Sequence, residues 1–210
     1  IPDFQHIHLS QMFSKKEIEN RDKSFIQIIK ESDVVVLSSF DALTDLKNFS
    51  SEYQNKARVL QFVSQPNSRY FELNENDKNK VLKKYDIKDE FFYMPNQFWK
   101  HKNHTIIIEA AKVLKKNKIE FLIVFTGKEF DYRNPNYTID LKKHIAENGL
   151  DDNFRFLGFI DRGEQLQLMK NSIAIVQPSL FEGWSTVVED TKAINHVILL
   201  SDIPLHREQI

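Results

Sequence analysis

The 210-residue chain is 41% apolar and 28% charged, which places it among ordinary globular proteins with a sizeable core and argues against a chain disordered as a whole. Its 29 basic and 30 acidic residues nearly cancel, and no like-charged block is long enough for a nucleic-acid arm or a polybasic membrane anchor, so neither is expected as a bulk electrostatic partner. There is no cysteine, which removes disulfides, thiolate metal sites and cysteine nucleophiles and fits a reducing, cytoplasmic setting.

Along the chain, short β-branched or aromatic runs alternate with amphipathic stretches of helical period. The expected elements are helix Lys15–Lys30, strand Asp33–Leu37, helix Asp41–Phe49, strand Ala57–Phe62, helix Asp77–Tyr85, strand Phe91–Met94 and helix His104–Lys116. Strand Ile119–Phe125, helix Thr138–Asn148, strand Phe154–Leu157, helix Arg162–Asn171, strand Ile173–Gln177, helix Thr186–Asn195 and strand Val197–Leu200 follow. This rhythm predicts an α/β fold, a doubly wound parallel sheet covered by helices on both faces. It is weakest at Ser64–Asp77, "SQPNSRYFELNEND", where a domain boundary is expected. Residues 1–70 then read as the tail of one Rossmann-like domain and residues 71–210 as most of a second. The chain opens on Ile1 without methionine and stops in the first turn of a helix, so both ends read as cut from a longer protein. No apolar run is long enough to span a bilayer and no signal-peptide pattern opens the chain; peripheral membrane contact stays open.

If the second section is doubly wound in the order 3-2-1-4-5-6, Phe91–Met94 is its first strand and Ile173–Gln177 its fourth, and the two lie side by side where the winding reverses. Ligands bind beyond the carboxyl ends of such a pair. The loops there are "PNQFWKHKNH" and "PSLFEGWST", the most chemically loaded in the chain. The five glycines make neither a dinucleotide-binding G-x-G-x-x-G nor a phosphate loop, which disfavours a nicotinamide dehydrogenase or a P-loop kinase. Gly183 instead precedes a helix start, with Ser185 and Thr186 as capping residues and Thr186-x-x-Glu189 matching a capping box. Unpaired N–H groups at that start, with Lys102 across the crevice, suit a diphosphate.

At about 100° per residue, Val187, Val188, Thr191 and Ile194 share one buried face, Glu189 points away from it and Asp190 sits on its flank. Glu189 is thus expected to cap and to face solvent, while Asp190 either reaches a ligand or simply favours the helix dipole. Glu182 lies too early to cap and reads either as a functional loop acid or as an ordinary surface glutamate. His6–His8 and His101–His104 lack a third ligand at supporting spacing, so no metal site is assigned and these histidines are expected to be solvated or hydrogen-bonded. Phe98 and Trp99 read as packing residues, and Trp184 as packing or walling the site.

The runs "VQPSLFEGWSTVVEDTKA" and "ILLSDIPLHREQ", with "NQFWKHKNHTIIIEAAKVL" upstream and "FRFLGFIDRGEQLQLMKNS" between them, resemble the retaining nucleotide-sugar glycosyltransferases of the two-domain B-type fold, the glycosyl transferases group 1. The likeness covers nearly everything from Phe91 on. It implies transfer of a sugar from a nucleoside diphosphate to a saccharide or lipid-linked acceptor hydroxyl with retention, in polysaccharide or glycoconjugate biosynthesis, with no metal and no separate cofactor. It places Glu182 near the donor sugar, Asp190 on the ribose, the amides of Ser185, Thr186 and Val187 at the diphosphate beside Gly183 and Trp184, and Gly158 and Phe159 at the base. Lys102 matches the family's phosphate-binding lysine. Two positions depart from the pattern: Gln97 stands where the family has an arginine, and Asp190 where it has a longer glutamate. On the acceptor side the resemblance offers only Asp3 and His6, for which structural hydrogen bonding is an equal reading. The rival functions are a nucleotide-sugar 2-epimerase of the same architecture and a non-catalytic sugar-nucleotide-binding subunit.

Overall fold

The computed structural model describes residues 1, 3–66 and 75–210. Much of the boundary expected at Ser64–Asp77 falls on residues 67–74, outside the described residues. The chain divides into two compact units, one formed by residues 1–63, 180–186 and 202–210, the other by residues 64–179 and 187–201.

In the first unit the helices α1 (Gln5–His8), α2 (Lys15–Glu31) and α3 (Phe40–Phe49) accompany two short parallel strands, β1 (Val35–Leu37) and β2 (Ala57–Val59). Ser14 and Glu17 form a reciprocal capping box at the start of α2, and Ser39 accepts from Ala42 N–H to start α3. Phe4, Phe25, Ile29, Val35, Leu37, Ala42, Leu46 and Ala57 make its core. Val36, between the two buried strand residues, is 49% exposed, so the sheet buries one face. The second strand stops at Val59, short of Phe62, because β1, its partner among the described residues, ends at Leu37.

The second unit is built on a five-stranded parallel sheet. Its strands are β3 (Phe92–Pro95), β4 (Ile123–Thr126), β5 (Phe154–Phe156), β6 (Ala174–Gln177) and β7 (Ile198–Leu200), in the spatial order β5-β4-β3-β6-β7. That is the expected 3-2-1-4-5-6 winding over its first five strands, with β3 first and β6 fourth. Tyr93, Val124 and Ile175 point to one face, where they meet Val81 of α4 (Glu75–Lys84), Leu166, Leu168 and Met169 of α7 (Arg162–Asn171) and Val187 of α8 (Thr186–Ala193). Met94, Ile123 and Phe125 point to the other, against Ile107, Ile108 and Ala111 of α5 (His104–Lys116) and Leu141 and Ile145 of α6 (Tyr137–Glu147). Residues two apart along a strand share a face, so runs apolar at every position are those buried on both sides. The strand expected at Ile119–Phe125 begins only at Ile123, because its pairing starts there, opposite Phe92 and Phe154. A last helix, α9 (Pro204–Gln209), belongs to the first unit and opens with proline at its first position. No helix among the described residues is long and apolar enough to cross a membrane.

Candidate functional site

The strands β3 and β6 are hydrogen-bonded neighbours at the point where the winding reverses. Beyond their carboxyl ends lies a buried polar ladder within the second unit: Asn96 Nδ2 donates to Gln177 Oε1 at 2.6 Å, and Gln177 Nε2 to Ser179 Oγ at 3.2 Å. Ser201 Oγ donates to Ser179 O at 2.6 Å and extends the ladder to the loop after β7. Buried amides are held this way because an unmade hydrogen bond there costs about 1–3 kcal/mol. None of these four residues carries a motif that marks it as a site residue; their signal in the sequence is polarity directly following buried strands, in the two loops already singled out for Asn96 and Ser179.

Lys102 closes the short helical turn Lys100–Lys102, whose backbone N–H donates to Trp99 O at 2.8 Å. Asn103 follows in the left-handed conformation at φ 60°, and its Nδ2 donates to Pro178 O at 3.2 Å. The turn carrying Lys102 is thereby tied to the loop that leaves β6, and the lysine keeps a partly exposed side chain. Gln97 is exposed on the same loop. Gly127 sets how closely this loop lies on the next: at φ 135°, a Cβ there would stand 2.2 Å from Asn96 O and 2.8 Å from Gln97 N. Gly127 N–H donates to Gly158 O at 2.8 Å, and Gly158 takes φ 67° with open space beside it. Phe159, next in the chain, is 84% exposed, an aromatic face presented to solvent.

Phe98 is fully buried, as expected of a packing residue, and Trp99 packs under the Arg133 guanidinium, whose carbon stands 5.0 Å from the ring centroid. The histidines need a correction. His104 is neither solvated nor hydrogen-bonded: it is fully buried, stacks on Phe98 at 4.5 Å, and neither ring nitrogen has a hydrogen-bond partner among the described residues. Burial, followed by the charges of Lys102 and His101, pushes its pKa down to about 3.

The start of α8 also differs from expectation. Glu189, expected in solvent, is 3% exposed and pairs with Lys192 at 3.0 Å. Val187, Val188, Glu189, Asp190 and Thr191 are all buried. Five consecutive residues pass through more than one full turn of about 3.6 residues, so this helix is enclosed on every side and has no solvent face there. Asp190 is 4% exposed. Both of its hydrogen bonds among the described residues fall on Oδ1: Ser64 Oγ donates to it, and Arg162 Nη2 donates to it at 2.5 Å. Neither Ser64 nor Arg162 was found from sequence. A signal existed at Arg162, a cation in the first turn of a helix, where the dipole disfavours it.

In the first unit, Glu182 is 8% exposed, which corrects its reading as an ordinary surface glutamate. The preceding Phe181 lies 5.1 Å from the ring of His8, and His8 Nε2 is 2.7 Å from Asp45 Oδ1. Gly183 O accepts from Ser38 Oγ at 2.8 Å. Trp184 packs: its indole N–H donates to Phe62 O at 2.9 Å and its ring meets that of Phe62. The Ser185 N–H, expected at a diphosphate, donates instead to Gln209 Oε1 at 3.2 Å, and Gln209 Nε2 returns a bond to Ser185 O. A side-chain amide matches both backbone groups of one residue, so the buried Gln209 takes up this amide pair. Thr186 and Val187, at the first two positions of α8, have N–H groups beyond the reach of helical pairing. His6 is fully buried among Phe4, Phe13 and Phe25 and bonds Asp22 at 3.0 Å, while Asp3 Oδ1 accepts from Gln5 N–H. For both residues the structural reading holds.

Residues 75–210 match the family model described as glycosyl transferases group 1. The O-antigen chain mannosyltransferase RfbU of Salmonella typhimurium is 27% identical over 135 residues, 64% of this chain but 36% of that protein, so the chain spans little more than a third of it. Among solved structures, Anabaena Alr3699/HepE in complex with UDP-glucose is similar with a TM-score of 0.80 at 15% identity, over 97% of this chain and 53% of that one. A glycosyltransferase from Rickettsia africae is similar with a TM-score of 0.70 at 22% identity, over 89% and 48%. These structural likenesses establish the fold.

Proposed function

Because the chain belongs to the glycosyl transferases group 1, we propose that the intact protein moves a sugar from a nucleoside diphosphate to an acceptor hydroxyl, with retention at the anomeric carbon. The observation that supports this most concerns the turn that carries Lys102, a partly exposed cation: it follows β3 and is tied through the Asn103 side chain to Pro178 O, just past the end of the neighbouring strand β6. An ammonium group there meets the negative charge that grows on a departing diphosphate, where preorganised charge is worth most. The N–H groups of Thr186 and Val187 supply the helix-terminus part of the same role, Ser185 being committed to Gln209. Gln97 contributes a neutral donor in place of a charge. The leaving-group charge is met by these groups, so the reading requires no metal ion.

Glu182 acts on the hydroxyls of the donor sugar and stabilises its transition state, Asp190 holds the ribose, and Gly158 with the exposed ring of Phe159 flanks the base. Gly183 and Trp184 shape the turn between the two acids. The acceptor is a saccharide or lipid-linked saccharide in a polysaccharide or glycoconjugate pathway of the cytoplasm, a reading to which the O-antigen role of the Salmonella relative lends support. Uridine diphosphate sugars are the first donors to try, given the ligand in the Anabaena structure.

Lys102→Ala in the intact protein is expected to lower turnover by about 100-fold or more, the usual effect of removing one such donor. Glu182→Ala is expected to abolish transfer while nucleotide binding persists. An unchanged rate in the lysine variant would remove Lys102 from the leaving-group role, and transfer surviving in the glutamate variant would remove Glu182 from the reaction.

A further inference from the structure

An aspartate in place of the expected glutamate is shorter by one methylene, and a buried carboxylate that is free to turn would present its oxygens poorly to a ligand. Asp190 is not free to turn. Its Oδ1 accepts from Ser64 Oγ and from Arg162 Nη2, and among the described residues no hydrogen bond reaches Oδ2. The other arm of the guanidinium is also held, Arg162 Nη1 donating to Gln165 Oε1 at 3.1 Å one turn along α7. Asp161 caps that helix by accepting from Gly163 N–H at 2.7 Å, which fixes the backbone from which Arg162 projects. The cation stands against the dipole of its own helix, so the Asp190 carboxylate is the interaction that favours it there. It also supplies the opposite charge that a carboxylate only 5% exposed needs.

We propose that Arg162 and Ser64 are positioning residues of the donor site: they lock Oδ1 of Asp190 and leave Oδ2 as the acceptor for a ribose hydroxyl. The inference rests on the reading of Asp190 as the ribose ligand. A carboxylate pinned on one oxygen pays no further rotamer entropy when the other accepts a hydroxyl. The lock therefore gives the site its preference for ribose over sugars lacking a hydroxyl, and it offsets the shorter reach of aspartate.

The test is calorimetric titration of the intact protein with uridine and guanosine diphosphate, and with the 2′-deoxy and 3′-deoxy forms of whichever binds more tightly. The wild type is expected to prefer the ribonucleotide over one of the deoxy forms by roughly tenfold or more, the worth of a hydrogen bond to a charged group. In Arg162→Ala that preference should fall to about twofold while the Kd of the deoxy form changes little, and Arg162→Lys should retain part of it. An Arg162→Ala variant that weakens both nucleotides equally, or neither, overturns the proposal. If that variant fails to fold, Ser64→Ala carries the test, and full discrimination in Ser64→Ala overturns the lock. A wild type that binds the diphosphate but does not discriminate removes Asp190 from the ribose and the lock with it. A wild type that binds no nucleoside diphosphate defeats the functional reading itself.

Discussion

Replacing His104 with phenylalanine should flatten the dependence of folding stability on pH. The His104 ring is fully buried, lies nearly parallel to Phe98 with 13° between the planes, and has no hydrogen-bond partner on either nitrogen among the described residues. Its folded pKa of about 3 compares with an unfolded value of about 6.5. For a base whose folded pKa is lowered, the unfolded chain takes up the proton first as pH falls. The folded state is therefore favoured above about pH 6.5 and loses ground steadily from there down toward its own pKa near 3. Between about pH 7.5 and pH 5 one such group costs about 2 kcal/mol, at 1.4 kcal/mol per unit of pKa difference sampled. Urea unfolding of both proteins at the two pH values measures this. The wild type should lose about 2 kcal/mol more than His104→Phe between them. Packing differences between the two rings cancel in that comparison, so an identical pH dependence in both proteins would refute the burial argument.

Gly127→Ala forces a Cβ to within 2.2 Å of Asn96 O at a φ of 135° that L residues rarely adopt. It should cost more than about 2 kcal/mol in urea unfolding and weaken nucleotide binding through the displaced Gln97 loop, and wild-type stability would contradict the close approach. Glu208 accepts from the N–H groups of Phe40 at 2.8 Å and Asp41 at 2.9 Å, the first turn of α3, and from Gln61 Nε2 at 2.7 Å. Glu208→Ala should lower stability by about 1–2 kcal/mol and Glu208→Gln by less, again by urea unfolding, whereas equal stability of all three proteins would deny the cap any weight.

The architecture was legible in the sequence because it depends on local patterns. A strand buried on both faces, such as Ile123–Thr126, must be apolar nearly throughout, and a helix against a sheet must repeat its apolar face at helical period. Those rules located each of the seven strands among the described residues, and the order of the five in the main sheet agrees with the doubly wound class that the strand–helix alternation implied. What local pattern does not contain is the partner far along the chain. The burial of Glu189 follows from enclosure of its helix on every side, which the apolar face alone does not reveal. The Ser185 amide is taken by Gln209, 24 residues on, and Asp190 by Arg162, 28 residues back. His104 looked like a polar residue at a helix start, yet the rings of Phe98, Phe125 and Tyr137 surround it.

The central claim is that Lys102 and the start of α8 receive a nucleoside diphosphate. Calorimetric titration of the intact protein with uridine and guanosine diphosphate, in wild type and Lys102→Ala, tests it most directly. The account predicts one site with a Kd for one of the two in the micromolar range, about −8 kcal/mol, weakened at least tenfold by Lys102→Ala. Binding of equal strength in wild type and Lys102→Ala, or no binding of either nucleotide at millimolar concentration, would contradict it.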